Sequence, residues 1–310
     1  MSSQHIQHIQ ADTPDDLPAT LERAVTLAVR LLTDAGVDSP RLSAELLAAK
    51  AFGLSRLGLI MQAKERPAKA ALAEFSALVS RRAQGEPAAY ILGDKEFFGL
   101  NFRVTPDVLI PRPETELVVE AVQRFFLPEA VFRFADFGTG SGALAVTLAH
   151  EFPAAQGLAI DLSSTALNIA RHNAQSNGVS DRLAFLRADF TRLALAPASL
   201  DLVVSNPPYV TEAEYAELSP EVRLFEPRCA LVSPEAGLWH LRSLLPVAAR
   251  ALRVGGLFLC ELGSGQGPAA LALAAEQGGV LERTSILKDY AGLDRILMAV
   301  RGSHKCSILG

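Results

Sequence analysis

A chain of 310 residues, 49% hydrophobic and 20% charged, is long enough for two domains and too apolar to be mainly disordered. Its net charge of −5 argues against non-specific nucleic-acid binding, and no apolar run approaches the roughly 18 residues of a membrane span. The N-terminal MSSQHIQHIQADTPDD lacks the basic and apolar stretches of a signal peptide, and Cys229, Cys260 and Cys306 are too few and too scattered for a disulfide framework or a zinc site, so a cytoplasmic chain without a metal is expected.

Residues 1–17 carry three Asp and no Lys or Arg and read as a loose tail. Residues 18–85 hold ten Lys/Arg against six Asp/Glu and read as helical throughout. Leu21, Ala24, Val25, Ala28 and Leu32 share one helix face. Asp38-Ser39-Pro40 offers a cap and a first-turn proline for a second helix, which Gly53 can close. Leu72, Phe75, Leu78, Val79 and Arg82 fall in register on a helix over 68–82. These residues predict a small helical bundle.

Residues 86–115 form a linker in which Phe97-Phe98-Gly99-Leu100-Asn101-Phe102-Arg103-Val104 reads as two short strands around a turn, followed by the stiffening Pro106, Pro111 and Pro113. From 116 to 302, apolar strands are expected at 131–137, 157–161, 183–188, 200–205 and 257–262, with helices over 142–151, 163–177 and 237–253. That alternation predicts an α/β fold whose mostly parallel sheet is covered on both faces. Residues 279–286 and 294–300 read as two strands without a helix between them, which predicts an antiparallel edge. Residues 303–310 read as a short polar tail.

Asp136-Phe137-Gly138-Thr139-Gly140-Ser141-Gly142 follows a strand and opens a helix. Glycines there let backbone amides at a helix N-terminus approach a ligand. Asp161, at the end of the next strand, can accept from both ribose hydroxyls of an adenosine. With Ala143 the segment also satisfies the relaxed dinucleotide pattern, and a tight turn without ligand is the plain alternative. A carboxylate at Asp136 suits an ammonium and would repel a pyrophosphate, which favours S-adenosylmethionine over NAD. Asp189-Phe190 ends the third strand, where the acid can accept from an adenine amino group and the ring can lie beside the base. An Asp in that place also serves as a helix cap.

Asn206-Pro207-Pro208-Tyr209 follows the apolar strand Leu202-Val203-Val204-Ser205, which places it beyond the C-terminal edge of the sheet, where open α/β folds bind ligands. Two prolines stiffen the backbone and remove two donors. What remains is an acceptor pair, the Asn206 side-chain oxygen and the Pro207 carbonyl, with the Tyr209 ring beside it. Such a pair holds the NH2 of an amide or an amino-heterocycle. His150, His172 and His240 fall in helical stretches and are read as structural.

Together these motifs resemble class I S-adenosylmethionine-dependent methyltransferases that methylate planar nitrogens, whose Rossmann-like seven-stranded sheet ends in an antiparallel strand. Gly85-Glu86-Pro87, Glu96-Phe97-Phe98-Gly99-Leu100, Ile110-Pro111-Arg112-Pro113-Glu114-Thr115-Glu116, Phe225-Glu226-Pro227, Ala230-Leu231, Gly237-Leu238 and the segment Lys288-Asp289-Tyr290-Ala291-Gly292-Leu293-Asp294-Arg295 resemble the release factor glutamine methyltransferase family. The resemblance covers about residues 20–302. It implies an enzyme that methylates the side-chain amide of the glutamine in the Gly-Gly-Gln motif of peptide chain release factors. It implies cofactor contacts from Gly138, Thr139, Gly140, Ser141, Gly142, Asp161, Phe190 and Asn206, to which the reading of the residues above adds Asp136 and Asp189. Asn206, Pro207, Pro208 and Tyr209 would hold the substrate, with Asn206, Pro207 and Tyr209 catalytic, and the helical domain would grip the release factor. A monomer acting on protein, without nucleic acid or membrane, is expected.

Some members have tryptophan at the position of Phe190; Trp239 is expected to be packing, and Arg112 and Glu114 either shape the pocket or pair with each other. Three alternatives remain. A sister enzyme methylates a ribosomal protein, but its linker reads Pro-Arg-Ser where this chain has Pro111-Arg112-Pro113. Adenine-amino DNA methyltransferases share the tetrapeptide but need a basic groove. A non-catalytic S-adenosylmethionine-binding module would not need the acceptor pair.

Overall fold

A computed structural model describes residues 20–303, so the sequence stretches 1–17 and 304–310 lie outside the described residues. It divides into two compact units: the first runs to Gly93 and takes in Ser219–Phe225, and the second comprises Asp94–Leu218 and the chain from Glu226. Among the described residues no helix is long and apolar enough to cross a membrane.

The first unit is built from α1 (Leu21–Asp34), α2 (Pro40–Phe52), α3 (Arg56–Met61), α4 (Lys69–Ala83) and α5 (Ala88–Leu92). Thr20 caps α1 by accepting from the Arg23 amide. Leu32, Leu47, Phe75 and Val79 interlock in its core, with the Phe52 and Phe75 rings 5.2 Å apart. Gly53 ends α2 in the left-handed conformation at φ +65°, as its position predicts. Ser39 does not cap that helix: it sits at φ +51° and makes no capping bond, because the left-handed turn carries its hydroxyl away from the first free amides.

Arg82 is 3% exposed and reaches Glu221 Oε2 at 2.7 Å and the Glu86 carbonyl at 2.9 Å. Those bonds hold the later segment 219–225 against α4. A guanidinium buried this far needs such partners.

In the second unit, β1 (Asp94–Phe97) and β2 (Leu100–Arg103) form the expected hairpin. Seven strands follow: β3 (Arg133–Phe137), β4 (Gln156–Asp161), β5 (Leu183–Arg187), β6 (Leu200–Ser205), β7 (Leu252–Glu261), β8 (Leu281–Lys288) and β9 (Asp294–Arg301). Their spatial order is β5-β4-β3-β6-β7-β9-β8, with β9 antiparallel to both neighbours and the β5-to-β7 pairings parallel.

Helices cover both faces, so side chains of either parity are buried. Phe134, Leu202, Val204, Leu257 and Leu259 pack under α6 (Glu116–Phe125), α7 (Ala143–Glu151) and α8 (Ser164–Ser176). Ala135, Phe137, Val203 and Phe258 pack on the other face. Past α9 (Glu212–Glu217), α10 (Pro220–Phe225) and the short turn α11 (Pro234–Gly237), that second face is covered by α12 (Trp239–Ala251) and α13 (Gly267–Ala275). Neither α6 nor α13 is among the helices expected from the residue pattern. The latter, Gly-Pro-Ala-Ala-Leu-Ala-Leu-Ala-Ala, is apolar on nearly every side and so shows no amphipathic stripe.

Asn173, 1% exposed, ties hairpin to sheet. Its oxygen accepts from the Arg103 amide at 2.8 Å, and its NH2 donates to the Arg103 and Ser141 carbonyls at 3.0 and 2.8 Å.

Gly157 in β4 packs closely against residues of both neighbouring strands, β3 and β5. A methyl added there would overlap the Phe134 ring and come within 2.6 Å of Leu183 Cδ2. Gly157→Ala is therefore expected to cost about 1–3 kcal/mol through overpacking. Urea denaturation checks this; an unchanged midpoint would contradict it.

Candidate active site

Loops leaving the C-terminal ends of neighbouring strands enclose a cavity of about 370 Å3. The reversal of strand order between β3 and β6 opens it: β4 and β5 lie to one side of β3, and β6 and β7 to the other. Asp136, Gly138, Thr139, Gly140, Ser141, Asp161, Asp189, Phe190, Asn206 and Pro208 all line it. Gly142, Pro207 and Tyr209 are not among its lining residues.

The turn after β3 is clamped by its neighbour. The amides of Gly138 and Thr139 both donate to the Ile160 carbonyl, at 2.8 and 2.9 Å. Gly138 and Gly140 have positive φ, and a methyl group on either would meet nothing within 4 Å, so backbone shape alone calls for glycine there. At Gly142 a methyl would fall 3.1 Å from Ala170 Cβ, so that glycine also lets α7 approach α8.

Asp136 is 1% exposed. Its Oδ2 accepts from Thr139 Oγ1 at 2.6 Å and from the Ala145 amide at 3.2 Å, while Oδ1 is buried without a partner. Burial pushes the carboxyl up to about 7, against the pull of those two bonds. A half-satisfied carboxylate on a cavity wall fits a cationic ligand group. Asp161 orders two loops, accepting from the Gly140 amide on Oδ2 and the Ser163 amide on Oδ1, each at 2.9 Å. Burial raises its pKa and the backbone bonds pull it back.

Asp189 caps the short turn 190–192, accepting from the Thr191 amide and hydroxyl on Oδ1. That Thr191 hydroxyl bond holds its pKa down. Phe190 stands edge-on to Phe137, with centroids 5.9 Å apart. Trp239 and His240, read from sequence as packing and structural, both line the cavity beside Phe190. Their place at the start of α12 faces them inward, and a helical pattern alone does not reveal that.

Asn206 donates from Nδ2 to Thr115 Oγ1 at 3.0 Å, which turns its Oδ1 the other way. The loop behind it is pinned: the Tyr209 carbonyl accepts from Gln266 Nε2 at 3.0 Å, the Val210 amide donates to Leu231 O, and Ser233 N donates to Val210 O. Tyr209 donates its hydroxyl to Glu261 Oε1 at 3.2 Å. Burial and the neighbouring Glu261 raise the phenol's pKa further, so it stays protonated.

Arg112 does not pair with Glu114. Its partner is Glu226, 1% exposed at the side chain and 2.5 Å away, which also accepts from the Ile110 amide. A pair formed 114 residues apart in sequence has no local signature. Arg112 lines the cavity as well. Sequence reasoning misses Thr115 and Glu261 as functional residues. The only sequence signal for Glu261 is a carboxylate ending an apolar strand at the level of Asn206, since Ser205 pairs with Cys260.

A switch-point crevice, a glycine turn and an antiparallel last strand define a class I methyltransferase. The chain matches the family model for a methyltransferase domain over residues 134–224 and that for the PrmC N-terminal domain over 23–93. It is 47% identical over 283 residues to the release factor glutamine methyltransferase of Nitratidesulfovibrio vulgaris, covering 91% of this chain and 96% of that protein. It is 45% identical over 285 residues to the release factor glutamine methyltransferase of Moorella thermoacetica, covering 91% and 99%. The catalytic domain of hMettl16, solved with the MAT2A 3′UTR hairpin 6, shares the fold at a TM-score of 0.53 and 18% identity, over 74% of this chain and 82% of that one. The chain belongs to the release factor glutamine methyltransferase family.

Two of the raised carboxyls, those of Asp136 and Glu261, give the protein a pH signature. Asp136 moves from 3.8 to about 7 and Glu261 from 4.5 to about 7 on folding. The folded state therefore keeps protons that the unfolded state releases. Their contribution to stability falls as pH rises from about 4 to about 7 and levels above that. Asp136→Asn should flatten the decline in melting temperature between about pH 5 and 7. An identical slope in the variant would contradict the assignment.

Proposed function

We propose that the chain transfers a methyl group from S-adenosylmethionine to the side-chain amide nitrogen of the glutamine in the Gly-Gly-Gln motif of peptide chain release factors. The observation that carries this, within a chain of that family, is the orientation of Asn206, whose NH2 is bound to Thr115 so that its oxygen is left for another donor.

S-adenosylmethionine supplies an electrophilic methyl group on a sulfonium, with a neutral thioether as leaving group. Asp136 would face its ammonium from the cavity wall, and the 138–142 turn would approach it with backbone amides. Asp161 would accept from the ribose hydroxyls. Asp189 and Phe190 would meet the adenine at its amino edge and its face.

An amide nitrogen is a poor nucleophile because its lone pair is delocalised into the carbonyl. Asn206 Oδ1 and the Pro207 carbonyl would accept its two hydrogens, favour pyramidalisation and aim the lone pair at the methyl. Positioning and electrostatics carry such a displacement: the N–CH3 bond forms as the S–CH3 bond breaks to the neutral thioether, and the alkylated nitrogen, strongly acidic in that state, releases one proton to water, so no strong base is required. Tyr209 would lie beside the planar group as its hydroxyl anchors the ring to Glu261.

The helical unit would grip the body of the release factor. Its α3 exposes Leu57, Ile60 and Met61 at 65, 74 and 78%, an apolar surface inside a net-positive region. The same reaction, carried out in the cytoplasm by a monomer, requires neither nucleic acid nor membrane.

The test is incubation with methyl-labelled S-adenosylmethionine and three acceptors: a release factor, that factor with the Gly-Gly-Gln glutamine changed to alanine, and duplex DNA. Label on the first alone is expected; label on the altered factor or on DNA would contradict the proposal. Asn206→Ala should lower turnover by about 100- to 1,000-fold while leaving the circular dichroism spectrum intact; near-normal turnover would remove Asn206 from the mechanism. Replacing Leu57, Ile60 and Met61 together by serine should raise KM for the intact factor and not for a short Gly-Gly-Gln peptide. Equal effects on both would exclude α3 from docking.

A further inference from the structure

Behind Asn206, side chains from three separate segments form one buried hydrogen-bond relay. Thr115 closes the short turn Pro113–Thr115, Asn206 and Tyr209 follow β6, and Glu261 ends β7. Thr115 Oγ1 lies 2.6 Å from Glu261 Oε2, Asn206 Nδ2 lies 3.0 Å from Thr115 Oγ1, and the Tyr209 hydroxyl lies 3.2 Å from Glu261 Oε1. Thr115 is 4% exposed and Glu261 1%, so bulk water cannot take the place of these partners.

With Glu261 ionised, the chemistry of the groups fixes the direction of every bond. An ionised carboxylate only accepts, so both hydroxyls donate to Glu261. A hydroxyl has one proton. With that proton committed to Glu261, Thr115 Oγ1 presents only lone pairs to Asn206, and the Asn206 group facing it must be the NH2. The opposite rotamer would set two acceptors against each other at Thr115 and turn NH2 hydrogens toward the hydrogens of the reacting amide. A glutamine-binding asparagine held only by solvent would sample both.

We propose that Thr115 and Glu261 are positioning residues: the carboxylate polarises the threonine hydroxyl, and the threonine locks the Asn206 amide with its oxygen toward the substrate. The proposal rests on Asn206 being the acceptor for the substrate amide, as argued above. Neither residue touches the reacting atoms in this scheme, and neither exchanges a proton with substrate.

The relay is sensitive to one proton. Burial raises the Glu261 carboxyl to about 7; the Thr115 and Tyr209 hydroxyls and the Arg295 guanidinium pull it down, and Glu114 pushes it up. Cys260, its chain neighbour, is buried with its thiol pKa raised and stays neutral. Arg295 is itself held by Asp289 at 2.8 Å. A proton on Glu261 turns an acceptor into a donor, releases the Thr115 proton toward Asn206 and permits the wrong rotamer. Turnover at saturating S-adenosylmethionine should then decline as pH falls through about 7, with Glu261 as its source; a proton on Asp136, gained in the same range, acts on cofactor affinity instead.

The test is steady-state methylation of a release factor by Thr115→Val, Thr115→Ser and Glu261→Gln, with S-adenosylmethionine affinity and thermal melting measured on each. Thr115→Val should lower kcat by about 100-fold, the scale of a misaimed reacting group, with KM for both substrates unchanged. Thr115→Ser should restore most of the rate. Glu261→Gln, whose amide can donate or accept, should lower kcat and abolish the decline near pH 7. Wild-type kcat in Thr115→Val, with Asn206→Ala inactive, would overturn the relay and spare the acceptor assignment. Full activity in Asn206→Ala would overturn the acceptor assignment and the relay with it. Should Thr115→Val fail to fold, Glu261→Gln decides: an acid limb identical to wild type overturns the proposal, and its loss at normal cofactor affinity supports it.

Discussion

The parallel pairing of β3 with β6 is the constraint on which the site depends. Phe137 and Ser205 are register partners, and the Ser205 hydroxyl donates to the Phe137 carbonyl at 2.7 Å. The next residue on each strand therefore starts a loop that lines the cavity, Gly138 on one side and Asn206 on the other. Because the connections leave β3 and β6 in opposite directions across the sheet, nothing fills the space between the two loops. One hydrogen-bonded register thus sets a glycine turn and Asn206 on the same crevice, and strand β7 adds Glu261 one step beyond the Ser205–Cys260 pair.

That crevice rests on buried polar groups that depend on their hydrogen-bond partners. Asp136, Thr115, Asn173 and Glu261 are all buried, each carrying a desolvation cost that an apolar residue would not. Their bonds are largely local to the site: Asp136 to Thr139 and Ala145, Asn173 to the hairpin and the glycine turn, Glu261 to Thr115 and Tyr209. Two cores dense in Leu, Val, Phe and Ala on either face of the sheet offset that cost. The terminal turn contributes as well. Asp289 accepts from the Ala291 and Leu293 amides and pairs with Arg295, which brings a cation near Glu261 from the neighbouring strand. The Lys288–Arg295 segment therefore has an electrostatic tie to the site although none of it lines the cavity.

What could be seen in the sequence was what is local. Leu200–Ser205 is a strand with the predicted bounds, and the terminal pair of strands is antiparallel, because apolar runs and the lack of a helix between them are short-range signals. The glycine turn, Asp161, Asp189, Phe190 and Asn206 reach one cavity because all follow strand ends in a parallel sheet. What could not be seen depends on pairs distant in the chain. Thr115 meets Glu261 across 146 residues and Arg112 meets Glu226 across 114. Residues 219–225 belong with the helical unit, a placement that Arg82–Glu221 secures across 139 residues. Trp239 and His240 face the cavity through the pitch of a helix start, and no composition signal distinguishes an inward-facing aromatic from a core one.

The central claim is that a fixed Asn206 oxygen and the Pro207 carbonyl grip the substrate amide. The most direct measurement is a crystal structure of the chain with S-adenosylhomocysteine and a release factor bearing Gly-Gly-Gln. The account predicts the glutamine side-chain nitrogen within hydrogen-bond distance of Asn206 Oδ1 and Pro207 O, with Asn206 Nδ2 still on Thr115 Oγ1. A glutamine bound elsewhere, or an Asn206 that turns its NH2 to the substrate, would contradict it.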